Sequence, residues 1–192
     1  MNTENLPIYL ADHSAMMTLE LELVGRSLKS NQTSSDDFVR DFGEFLPKLA
    51  DDIKNQQAVI SSLLDEVGSG TNPIKELGAW LFEKVGGIKA DARFPGYEDL
   101  NRLNALERLI LGAKSRSAMW TALTAGEHGQ QLNATQHRDK TEQHLNQLRE
   151  LHETAAAKAF GSDSEDCSTP SGCCGSQSTK LSANPSTSTA GD

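Results

Sequence analysis

"LNALERLILGAKSRSAMW", Leu103–Trp120, is the stretch whose reading decides the fold. Its leucines keep a helical spacing, and on that wheel Glu107 sits beside Leu103 and Ile110, at the margin of the apolar stripe. A carboxylate in that position has to be paired, protonated or able to reach solvent past its neighbours. Two functional expectations follow. Glu107 is either a metal ligand inside a helical bundle or one charge of a polar network that helps the helices pair.

Working outward, this helix spans roughly 97–125, and three more segments share its periodicity. The first covers about 7–30, with Ile8, Ala11, Ala15, Leu19 and Leu23 three or four apart. After "NQTSSDD" the second runs to about 67, with Ser34, Ser35 or Asp36 as its N-cap and Phe42, Leu46, Leu49, Ile53, Ile60, Leu63 and Val67 as its stripe. Pro47 lies inside it, four residues after Gly43, and predicts a kink or a break. The fourth covers about 127–160, joined to the third through "AGEHGQ". Between the second and third lie about thirty residues holding one short amphipathic segment, "IKELGAWLFEKV", stopped by Gly86 and Gly87. Short links make each flanking pair an antiparallel hairpin, and the long link is enough to cross the bundle. The expected fold is an all-α, ferritin-like four-helix bundle with that crossover carrying a short helix and Trp80; an up-down-up-down bundle is the alternative.

The chain has 192 residues, 36% of them hydrophobic, and a formal net charge of −9. No aromatic residue occurs from Gly161 onward, where Ser, Thr, Gly, Pro and Ala dominate. Such a composition buries too little apolar surface to offset its ordering entropy, so the expected division is a helical domain at 1–160 and a disordered tail at 161–192. The tail contributes −3, from Asp163, Glu165, Asp166 and Asp192 against Lys180, which leaves −6 on the domain. An acidic domain without a Lys/Arg stripe argues against nucleic acid and anionic membranes as partners. No apolar run approaches a membrane span, and "MNTENLPIYL" lacks a basic-then-apolar signal, so the expected location is cytoplasmic. All three cysteines, Cys167, Cys173 and Cys174, fall in the tail; the domain therefore has neither a disulfide framework nor a cysteine nucleophile.

Di-iron bundles place one Glu on each of two helices and Glu-x-x-His on each of the other two. None of His13, His128, His137, His144 and His152 has an acidic residue three or four positions away. His13 and Glu20 share a face, as do His137 and His144, but seven residues is about 10.5 Å along a helix, too far to grip one ion. Asp52 and Gln56 stand on the second helix where Glu and His would be expected. Asp12, Glu22 and Glu107 are the carboxylates nearest the apolar stripes, with Arg26, Arg108 or Arg116 as counter-charges for a half-buried network. No phosphate-loop, G-x-S-x-G or Cys-His signature appears. Met16 and Met17 read as core filler.

Three stretches, "YLADH", "WLFEKVGGIK" and "LERLILGAKSRSAMW", carry a resemblance. They resemble an uncharacterised bacterial family of small helical proteins, best seen in actinobacteria, with the approximate pattern YLNDH, W-L-x-E-K-x-G-R-L-K and L-E-x-L-x-L-G-x-x-x-K-x-x-L-W. Tyr9, Asp12, His13, Trp80, Glu83, Lys84, Gly86, Lys89, Glu107, Gly112 and Trp120 fall on it; Ala11, Gly87, Ile88, Arg116 and Met119 depart, with Arg116 keeping the positive charge. The resemblance implies a small helical protein and no particular activity. A looser similarity, through the helix order and "HRDKTEQHLNQL", is to ferritin-like bacterial stress proteins.

The expected function is that of a non-catalytic bundle acting through protein contacts, with itself or another chain, and no cofactor is implied. The alternative is a ferritin-like metal-binding or redox protein with ligands from unusual positions: His13, Asp52, Glu107 and His137, one on each helix.

Overall fold

The computed structural model describes residues 5–30, 36–67 and 97–161. Those residues form four helices: α1 (Asn5–Ser30), α2 (Asp37–Val67), α3 (Glu98–Thr124) and α4 (Ala134–Phe160). The compact unit they build is Met1–Gly161. The crossover segment with Trp80, and the tail with its three cysteines, lie outside the described residues.

Local chemistry sets the helix ends. Asp36 caps α2, its Oδ1 accepting from the Phe38 N–H at 2.8 Å. α3 stops where Gly126 and Gly129 enter a run of turns, and α4 begins after Asn133, whose φ of 50° is left-handed. The fourth helix thus starts at Ala134 rather than near 127, because the residues between prefer turn conformations to helix. At Pro47 the expected break is absent and α2 runs on through it. Pro47 faces solvent, so its missing N–H removes no buried hydrogen bond.

Helix directions follow from paired side chains. Along α2 and α4, Asp36 meets Lys158, Asp52 meets His144 and Gln56 meets Thr141, so one numbering rises as the other falls. Along α3 and α4, Ser117 meets Glu142 and Trp120 stacks on His137, which is again antiparallel. α2 and α3 are therefore parallel, with Val67 and Tyr97 at opposite ends of the bundle. α1 packs on α2 and α3, and α4 packs on α3 and α2. An up-down-up-down bundle would instead make α2 and α3 antiparallel neighbours.

The core lies between the helices: Leu10, Met17 and Val24 from α1; Phe42, Leu46, Leu49, Ile53 and Ile60 from α2; Leu106, Leu109 and Trp120 from α3; Leu145 and Leu148 from α4. Burying each such side chain contributes about 1.5–3 kcal/mol. On α2 every member of the predicted stripe is buried or half-buried. On α1 the buried face is rotated from the predicted one. Of the predicted stripe Ile8 is exposed, Ala11 is buried and Ala15, Leu19 and Leu23 are half-buried, while Leu10, Met17, Glu20, Val24 and Ser27 complete the inward face. Two of those five are polar, so a count of apolar spacing could not find that face. Among the described residues no helix is long and apolar enough to cross a membrane.

Candidate functional site

Among the described residues Arg116 is the second-largest fully buried side chain, 2% exposed on the inner face of α3. A guanidinium cannot lose its proton at ordinary pH, so it must be matched by acceptors. Glu20 of α1 supplies both oxygens: Nε donates to Oε2 at 2.8 Å and Nη2 to Oε1 at 3.0 Å. This is the two-point fork that arginine and carboxylate geometry favours. A third, longer bond runs from Nη1 to Gln56 Oε1 at 3.4 Å.

Gln56 of α2, fully buried, carries the network across the bundle. Its Oε1 accepts from the Trp120 indole N–H at 2.6 Å, and its Nε2 donates to Asp52 Oδ2 at 2.8 Å and to Thr141 Oγ1 at 3.0 Å. Indole and guanidinium are donors only, so the orientation of the amide is dictated: oxygen toward α3, nitrogen toward Asp52 and α4. Thr141 passes its own proton to the His137 carbonyl at 2.8 Å. All four helices contribute a side chain.

Gly112 makes the room. A Cβ built there would lie 2.7 Å from Glu20 Cδ and 3.0 Å from its Cγ. Gly112, Arg116 and Trp120, four apart along one face of α3, thus present a gap, a charge and a donor to Glu20 and Gln56.

Burial pushes the Glu20 carboxyl above its ordinary value, opposed by the charge and hydrogen bonds of Arg116. For Asp52 burial again acts upward, but the His144 imidazole, Arg116 and Gln56 together outweigh it and hold the carboxyl low. His144 is 6% exposed and edges onto Phe45. Its Nδ1 stands 3.4 Å from Asp52 Oδ2 and is the one buried side-chain nitrogen or oxygen among the described residues that no hydrogen bond satisfies. His137 stacks on Trp120 with ring centroids 4.5 Å apart, and desolvation holds its pKa below the ordinary imidazole value, with Asp52 pulling the other way.

The four candidate ligands do not converge. Asp52 belongs to the network and His137 flanks it. His13 is half-buried between α1 and α3, its Nδ1 3.5 Å from Ser115 Oγ. Glu107 is exposed, with His152 Nε2 at 3.5 Å. Among the described residues no three of His, Cys, Asp or Glu are grouped so as to hold a metal ion. The expected polar network does exist and Arg116 is its cation. Its carboxylate, however, is Glu20: Asp12, Glu22 and Glu107 all face solvent, and Glu22 pairs there with Arg26 at 3.3 Å. Glu20 and His144 were open to discovery only as polar residues at core register on their helices.

Family models, curated proteins and solved structures yield no match to this chain. Its chemistry therefore rests on its own geometry.

Proposed function

We propose that this chain is a non-catalytic helical bundle that works by associating with itself. The observation that carries the reading is the closed centre of the bundle. Arg116 occupies it, locked to Glu20 and Gln56, where a catalytic or redox bundle would need an open coordination site or a reactive group beside a cavity. The surface offers what the interior does not. Ile8, 62% exposed, and Met16, 43% exposed, stand on one stripe of α1 beside Tyr9, and Leu111 is 64% exposed on the neighbouring α3. An acidic, cytoplasmic protein that binds neither nucleic acid nor membrane fits this reading.

Sedimentation at low and high concentration tests it. The expected result is a mass above that of one chain, falling toward the monomer on dilution and in the Ile8→Glu, Met16→Glu double variant. A monomer at every concentration refutes self-association.

One observation favours a second reading, that of a ferritin-like metal or redox protein. The helix directions, two hairpins with α2 and α3 parallel, are those of ferritin-like bundles. Against it stands the guanidinium at the centre, which replaces a bound cation with a covalently tethered one.

A further inference from the structure

Between α2 and α4 opens a polar cleft of about 630 Å³. Asp52 and His144 both line it and are its least exposed members. We propose that Asp52 and His144 bind a single first-row divalent transition-metal ion, of which Zn²⁺ is the prototype. The site lies at the cleft edge of the Arg116 network, which Asp52 joins through Gln56, and does not depend on either reading of function above.

The geometry carries the assignment. Asp52 Oδ2 and His144 Nδ1 are 3.4 Å apart, and Nδ1 has no hydrogen bond although it is buried. An ion bonded to a carboxylate oxygen and an imidazole nitrogen at about 2.0–2.1 Å each, with a tetrahedral angle between them, holds those atoms about 3.4 Å apart. A direct N–H···O bond would draw them to about 2.9 Å. At 3.4 Å the pair is longer than an ordinary hydrogen bond and matches the spacing of two ligands on one ion. Each ligand comes from its own helix, so the ion would clasp α2 to α4.

The surroundings suit such a site. Asp52 Oδ2 accepts from Gln56 Nε2 at 2.8 Å, which fixes the carboxylate as outer hydrogen bonds fix metal ligands elsewhere. An imidazole donor selects Zn²⁺ and its neighbours in the first row over Mg²⁺ or Ca²⁺. Asn55 and Gln147 stand one helical turn beyond Asp52 and His144 on the cleft wall, so side-chain oxygens or water complete the shell. Lys48 and Lys140 at the cleft weigh against tight binding of a cation, so a site with two protein donors binds weakly and exchanges readily.

Zn²⁺ titration by calorimetry tests this on the full-length chain with Cys167, Cys173 and Cys174 changed to serine, since tail thiols would compete for the metal. The expected result is one Zn²⁺ per chain, weakened at least tenfold by Asp52→Asn and by His144→Gln, and unchanged by Glu107→Gln or His13→Gln. Imidazole ¹H–¹⁵N spectra of the same chain with neither ligand altered keep the test decisive if a variant fails to fold. There Zn²⁺ should move the His144 ring nitrogens and leave those of His13 and His152 in place. Absence of binding, binding that survives both ligand substitutions, or shifts confined to other histidines would each overturn the proposal.

Discussion

Replacing Arg116 with methionine keeps the volume of the stem and removes the charge. The structure then sets the cost. Glu20, 5% exposed, loses both hydrogen bonds to its carboxylate at once, and among the described residues no other side chain hydrogen-bonds it. A lone carboxylate at that depth takes up a proton instead of staying charged. Protonating a group whose unfolded pKa is about 4.3 costs about 1.4 kcal/mol per pH unit, so roughly 4 kcal/mol at pH 7. That figure falls within the range of about 3–5 kcal/mol seen when one partner of a buried ion pair is deleted.

The same reasoning fixes the sign with pH. In the variant the folded state holds one proton more than the unfolded state at every pH between the unfolded and folded pKa values of Glu20. Stability of the variant then rises as pH falls, by about 1.4 kcal/mol per unit, and over the range in which the Arg116 fork keeps Glu20 ionised in the native chain the deficit shrinks with it. Adding Glu20→Met removes the stranded carboxyl, and the double variant should return to within about 1 kcal/mol of the native chain or exceed it. Urea unfolding followed by circular dichroism at pH 7 and pH 5, across all four members of the cycle, measures both effects. A loss at pH 7 below about 1 kcal/mol, a loss that does not change with pH, or additive single substitutions would refute the buried-pair account.

Gly112→Ala drives a Cβ to 2.7 Å from Glu20 Cδ, so despite the better helix propensity of alanine it should cost about 1–2 kcal/mol. The same substitution in a Glu20→Ala background should be neutral or stabilising, which urea titration of both variants checks. Trp120→Ala and Leu103→Ala, at positions 0% and 3% exposed, should each cost on the order of 3 kcal/mol in the same assay. His137, with its folded pKa below the ordinary imidazole value, favours the folded state above pH ~6.5 and works against it as pH falls through that value, because the unfolded chain protonates first. A histidine titration by NMR should therefore place His137 below a free imidazole; a value above it would contradict the desolvation of its ring.

The legibility of this chain tracks how its helices divide polar from apolar. The face of α2 was readable because its core register is almost wholly apolar, from Phe42 through Leu63. The face of α1 was not, because Glu20 and Ser27 occupy two of its inward positions and exposed Ile8 mimics a core residue. Glu107 had the reverse problem. It sits between apolar neighbours on the wheel, yet the inward arc of α3 runs through Leu103, Leu106, Leu109, Ala113, Arg116 and Trp120 and leaves Glu107 in solvent. The order of the helices and the antiparallel hairpins were legible from link lengths. The meeting of Asp52 with His144 was not: a spacing rule sees only pairs on one helix, and this pair forms across two.

That limit also explains what the buried polar core is for. Apolar side chains on four helices tolerate several registers, since one leucine can replace another at a small loss. Arg116 tolerates only one. Sliding α1 by a turn would move Glu20 about 5.4 Å along its axis, beyond the reach of a fork closed at 2.8 and 3.0 Å. Sliding α2 or α4 would strip Gln56 of its bonds to Trp120 or Thr141. Each misalignment buries an unpaired charge or amide, a penalty of kcal/mol size for a chain whose total stability is only about 5–15 kcal/mol. The network therefore acts chiefly by destabilising alternatives. This is why the single variants of the cycle should be costly while the apolar double variant, equally stable, should lose the unique helix register, visible as broadened amide resonances at unchanged helix content.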